Sequence, residues 1–299
     1  MALFSKARPV VLDGGLGTLL ADRGHDLTGA TWSARLLEED PAAIVAGHRE
    51  FFDAGATIAI TASYQASFEG FERIGLDREA AARLMRRSVE LAREARNGKG
   101  ALVAASVGPY GAMRADGSEY RGDYGLTAVE LRSWHEERFG VLASAGADLV
   151  AFETIPCLAE VEAIAALTAG SGVAAWLSVT VADGRLRSGE DLGEAFAIAA
   201  VVDEIEAVGL NCSHPSEVLG AIEAARASTT KPVVVYPNSG EEWDGRHKRW
   251  MGRPGFGAEQ VAAWLDAGAT VVGGCCRVGP GQIAGIAAVL AERAVTAPE

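Results

Sequence analysis

The chain has 299 residues, 49% hydrophobic and 22% charged, with 27 Lys and Arg against 40 Asp and Glu for a net charge of −13. Those proportions exclude wholesale disorder, and the length supports a large core without disulfide staples. The acidic balance excludes the basic footprint that a nucleic-acid backbone or an anionic membrane surface requires.

The amino terminus carries no apolar stretch of signal-peptide length, and no run approaches the roughly 18 apolar residues of a membrane span. The sequence therefore predicts a cytoplasmic protein. Eight short β-rich runs follow in order, at 10–13, 57–63, 101–108, 148–154, 174–180, 207–213, 232–238 and 270–276. They are mostly continuous apolar runs with little alternation, the pattern of parallel strands covered on both faces. Helical patterns lie between and after them, at 41–54, 78–96, 127–145, 157–168, 190–204, 216–227, 258–267 and 280–293. The first opens on Asp40-Pro41, a capping residue followed by proline at the first helical position. Gly55, Gly146 and Gly268 recur in similar Ala-Gly-Ala contexts just before runs two, four and eight, where a helix ends in a left-handed residue before a strand. Strand–helix alternation repeated eight times predicts a single (β/α)8 barrel domain over residues 1–299. A dinucleotide-binding sheet is disfavoured, because no Gly-x-Gly-x-x-Gly follows the first strand.

Two loops are too long to be simple connections, 109–125 after run three and 237–257 after run seven. Both leave the carboxyl ends of strands, where barrel enzymes place their sites. Their glycines and aromatics predict lids or substrate walls.

Of the four cysteines, Cys212 stands at the end of run six and Cys275-Cys276 at the end of run eight. In a barrel those ends share one rim. Three thiolates with an open fourth position describe a catalytic zinc site, whereas a structural site is closed by four ligands. Such an electron-rich Zn²⁺ is a poor Lewis acid but suits a fourth thiol, holding it as thiolate at neutral pH. The competing readings are buried free cysteines, a strained vicinal disulfide, and a redox dithiol, which lacks the Cys-x-x-Cys spacing. Cys157 opens a helix and reads as a small buried hydrophobe; His214 reads as a solvated loop residue.

The chain resembles the homocysteine S-methyltransferases over essentially its full length. The resemblance is carried by VLDGG at 11–15, ITASYQ at 60–65, SVGPYG at 106–111, DGSEYRG at 116–122, Glu153-Thr154, GLNC at 209–212, VYPNSG at 235–240 and GGCCR at 273–277. It is strongest to the branch that uses sulfonium donors, S-methylmethionine or S-adenosylmethionine. It implies a (β/α)8 barrel in which Cys212, Cys275 and Cys276 bind zinc and L-homocysteine supplies the fourth sulfur. It further implies that Asp13 and Glu153 hold the substrate ammonium. The backbone of Gly14 and Gly15 is expected to take its carboxylate and Asn211 to add a hydrogen bond. Trp32, Tyr64 and Asn238 match positions near the methyl donor, and aromatic faces attract onium groups. Arg277 is expected to act as an ion-pair anchor. The variable stretch Leu16-Gly17-Thr18 near that pocket leaves donor identity open. The alternatives are a betaine-type methyltransferase and a non-catalytic zinc- or thiol-binding barrel.

Overall fold

The computed structural model describes the chain except residues 1–2, 5–8, 26–31, 97–99, 245–248, 253–255 and 297–299. Eight parallel strands form one sheet: β1 (Val10–Val11), β2 (Ile58–Ile60), β3 (Leu102–Val107), β4 (Leu149–Ile155), β5 (Ala175–Val179), β6 (Ile205–Asn211), β7 (Val233–Tyr236) and β8 (Ala269–Val272). Their order around the sheet is β1-β8-β7-β6-β5-β4-β3-β2. A parallel bridge between Leu12 and Ile58 brings the two ends together, with Asp13 N donating to Ile58 O at 3.0 Å. The expected (β/α)8 barrel is thus observed.

The helices match the expected segments because their signals are local. Pro41–Asp53 is capped by Asp40, whose carboxylate accepts from Ala43 N at 3.1 Å. Ala128–Ala143 opens on a reciprocal Thr127–Glu130 capping box. Gly55, Gly146 and Gly268 all have positive φ, as the turn into a strand demands. Elements of a few residues show no readable period and were absent from the expectation: helices Leu16–Asp22, Phe68–Glu72 and Tyr110–Arg114, and a hairpin of Val181–Ala182 with Arg185–Leu186. No helix among the described residues is long and apolar enough to cross a membrane.

Side-chain alternation along each strand divides the core in two. Val150, Phe152, Val208, Val233 and Val235 face the helices. Leu12, Ile58, Ala104, Leu149, Ala151, Trp176, Ala207, Val234, Tyr236 and Val271 fill the barrel, with Phe4 packed against Trp176. Continuing the inward rows by two residues reaches Ser106 on β3 and Glu153 on β4, and by four reaches Asn211 on β6, all buried polar groups at the carboxyl ends. The interior is therefore apolar below and polar at one rim.

His48, on Pro41–Asp53, is completely buried and neither ring nitrogen finds a partner among the described residues. Burial lowers its pKa from 6.5 to about 4. The unfolded chain binds a proton that the folded chain refuses across that interval, so this contribution to stability is present above pH 6.5 and is lost as pH falls toward 4. The loss amounts to roughly 3 kcal/mol at 1.36 kcal/mol per unit. Urea unfolding midpoints of His48→Leu should decline less than those of the parent over this range; parallel curves would contradict the assignment.

Candidate active site

A cavity of about 280 Å³ opens at the carboxyl ends of the strands. Its wall includes Gly14 and Gly15 after β1, Ile60, Tyr64 and Gln65 from β2 and its loop, Glu153 and Thr154 on β4, Asn211 and Cys212 from β6, Tyr236 on β7, and Cys275-Cys276 after β8. The sulfurs of Cys212, Cys275 and Cys276 lie within 4.8 Å of one another. Cys212 Sγ and Cys275 Sγ are 2.7 Å apart. Hydrogen bonds from Cys212 and Cys275 hold the Cys276 thiol well below the usual thiol range, so the cluster concentrates negative charge at one sulfur.

Bringing Cys212 into this group requires a break in the strand pattern. Asn211 faces inward, so a regular strand would turn Cys212 outward. Its φ of +47° reverses that turn. Thr154, at the matching end of β4, has φ +61°, an unusual conformation for a β-branched residue. The two strand ends are locked together by one side chain: Asn211 Oδ1 accepts from Thr154 N at 2.6 Å and Asn211 Nδ2 donates to Thr154 Oγ1 at 2.8 Å. Backbone strain at the ends of β4 and β6, the two strands that flank β5, is held here by a buried hydrogen-bonded pair.

The Cys275–Val278 turn is seated between two neighbouring loops. Cys275 N donates to Pro237 O at 2.8 Å, and Cys276 N donates to Asn238 Oδ1 at 3.2 Å. On the other side, a Cβ on Gly14 would stand 2.2 Å from Val278 O, and one on Gly15 would stand 2.4 Å from Cys275 O. Glycine at these positions permits the close approach of the cysteine turn. Arg277, at φ +67°, pairs with Glu241 at 3.3 Å and with Asp22 at 3.2 Å, as an anchor should.

Two buried carboxylates accompany the thiols, Glu153 on β4 across the barrel from β8 and Asp13 after β1, the neighbour of β8. Glu153 accepts from Ser106 Oγ and is hydrogen-bonded by Tyr236, yet burial pushes its acid up to about 7. Asp13 sits behind the wall; its Oδ2 accepts from Ile60 N at 2.9 Å and its buried Oδ1 has no partner among the described residues. Burial, with the Glu153 charge adding, raises Asp13 well above the usual carboxylate range. Two carboxylates that disfavour each other's charge, one with an open acceptor, suit an incoming cation.

The cluster of soft donors fits a metal ion. Three sulfurs within 4.8 Å of one another can be spanned by one tetrahedral ion, whose ligands at about 2.3 Å stand about 3.8 Å apart. The homocysteine S-methyltransferase family model matches residues 10–290. The chain belongs to that family. Homocysteine S-methyltransferase 4 of Zea mays is 43% identical over 305 residues, covering 94% of this chain and 89% of the relative. Homocysteine S-methyltransferase YbgG of Bacillus subtilis is 43% identical over 297 residues, covering 93% of each. The crystal structure of the homocysteine methyltransferase MmuM from Escherichia coli in its metallated form superposes with a TM-score of 0.84 at 40% identity, covering 94% of this chain and 96% of that one.

Within this family member, several expected residues occupy positions that the sequence did not reveal. Gly15 N donates to Val278 O at 3.0 Å, so its N–H is not offered to a carboxylate as expected. Asn238 is not among the cavity-lining residues; its side chain braces Cys276 from behind. Trp32 opens helix Trp32–Glu39, and its side chain lies outside the described residues. Part of the 237–257 loop also lies outside them; its described portion pairs Glu242–Asp244 with Arg249–Met251. Cys157 is buried away from the cluster with its thiol pushed up to about 12, and His214 is exposed and bonded to Ser216, both as expected. The 109–125 loop does supply a wall, through Tyr120. Sequence reasoning missed Ser106, Tyr236, Gln65 and Tyr120, although inward alternation on β3 and β7 would have indicated the first two.

Proposed function

We propose that the chain transfers a methyl group from a sulfonium donor, S-methylmethionine or S-adenosylmethionine, to the thiol of L-homocysteine, giving methionine. The observation that carries this reading is the convergence of three thiols on the wall of a cavity that Glu153 also lines.

Cys212, Cys275 and Cys276 would hold Zn²⁺ as thiolates. When bound, that ion supplies a position at which a substrate thiol is deprotonated near neutral pH. Glu153, on the cavity wall, receives the substrate ammonium, with the unpaired Oδ1 of Asp13 buried behind the wall. This contact fixes the amino-acid end of homocysteine and aims its sulfur at the cysteines. Tyr64 and Tyr120 supply aromatic wall to a cationic donor, with Trp32 expected beside them.

The substrate thiolate contributes the electron pair of the new S–CH3 bond. The old S–CH3 pair returns to the donor sulfur, which leaves as a neutral sulfide. No protein acid is needed for that departure. Orienting two substrates in a cavity sheltered from water supplies the main rate advantage, up to roughly 7–11 kcal/mol when alignment is favourable.

Metal analysis combined with turnover of homocysteine against S-methylmethionine, S-adenosylmethionine and betaine tests the reading. Stoichiometric zinc and transfer from sulfonium donors are expected. Transfer from betaine alone, or undiminished transfer after complete metal removal, would overturn it.

A further inference from the structure

The DGSEYRG segment at 116–122 is held by its backbone in a way that leaves one side chain unused. The short 3-10 helix Ser118–Tyr120 follows Gly117 at φ +77° and places the Tyr120 ring on the cavity wall. Helix Tyr110–Arg114 lies directly against it: a Cβ on Gly111 would stand 2.4 Å from Glu119 N. Ser118 N is capped by Asp116 Oδ1 at 2.9 Å. Arg121 turns to Asp123 at 3.4 Å and Asp116 at 3.9 Å. The loop geometry is accounted for without the carboxylate of Glu119.

Glu119 Oε2 is buried and has no hydrogen-bond partner among the described residues. The same is true of Gln65 Oε1, on a residue that lines the cavity. Native structures pair nearly all buried polar groups, so such a concentration beside a cavity marks where a ligand or water completes the set. Both the Glu119 and the Gln65 atom are acceptors only, so what completes them must be a donor. Glu119 is not itself a lining residue, but it immediately precedes the lining Tyr120, and its charge is felt at Tyr64. The ammonium of homocysteine is already matched by Glu153, with Asp13 behind it, so this third carboxylate answers to a different cation.

We propose that Glu119, with Gln65, forms a subsite for the α-ammonium of the methyl donor. The chain thereby selects sulfonium donors that are themselves amino acids over sulfonium or betaine donors that carry no ammonium. This inference rests on the sulfonium-to-homocysteine transfer proposed above.

The test compares wild type with Glu119→Gln and Gln65→Leu, using S-methylmethionine and dimethylsulfonioacetate as donors at saturating homocysteine. The second donor carries the sulfonium without the ammonium; where it binds without turnover, its inhibition constant against S-methylmethionine is read instead. Glu119→Gln should raise the KM for S-methylmethionine about tenfold, the loss of one charge-assisted hydrogen bond. The constant for dimethylsulfonioacetate should move at least fivefold less, and the KM for homocysteine and the metal content should stay within twofold of wild type. Gln65→Leu should move the constants in the same order with a smaller amplitude. Equal shifts for both donors, a shift in homocysteine KM instead, or an unchanged S-methylmethionine KM would overturn the subsite. Wild-type protein that transfers from no sulfonium donor would overturn the underlying reaction, a result distinct from any of these.

Discussion

Cys276→Ala is expected to purify without its metal and to lose methyl transfer. The sulfur it removes is the one on which the cluster concentrates its charge, because hydrogen bonds from Cys212 and Cys275 favour its thiolate. Two remaining thiols leave a half-built ligand set, and metal affinity in such sites falls steeply with each missing donor. Turnover should fall by at least about a thousandfold, equivalent to roughly 4 kcal/mol of transition-state stabilisation. Cys157→Ala provides the control: its thiol is buried away from the cluster, so metal content and turnover should match the parent. Metal analysis and turnover measured on the same preparations check both. A Cys276→Ala protein with full metal and full activity would remove the thiol cluster from the reaction.

Glu153→Gln should separate substrate binding from metal binding. The substitution keeps the shape that Ser106 and Tyr236 hold, and removes the charge. A buried contact to an ammonium contributes about 1.5–3 kcal/mol, so homocysteine should bind roughly 10- to 100-fold more weakly. Metal content should be retained, because Glu153 does not belong to the three-sulfur cluster. The readouts are a KM for homocysteine and a metal titration. Equal loss of both would show that Glu153 supports the cluster and has no separate contact with substrate.

The barrel and much of its rim can be read from the sequence because the relevant signals are short-range. Apolar runs mark the strands, Asp40 and Thr127 mark helix starts, and Gly268 marks a turn into the last strand. Cys212 illustrates what such signals miss. Strict alternation would aim it at the helices; only its left-handed backbone, braced through Asn211 and Thr154, returns it to the cavity. Gly15 illustrates the second gap. Its N–H meets Val278, a residue at the opposite end of the chain, and no local pattern announces that pairing. Asn238 follows the same logic, because its role depends on which loop the barrel sets beside it. Proximity in sequence says what a residue can do; closure of the barrel decides which neighbour it does it with.

That closure has a temporal consequence. β1 and β8 are partners in the sheet, and the turn bearing Cys275 and Cys276 rests on the glycines that follow β1. A chain emerging from the ribosome can therefore build seven staves and still have no metal affinity worth the name. The ion-binding pocket is the last thing to assemble, so metal uptake should report completed folding and should be undetectable in fragments truncated before β8.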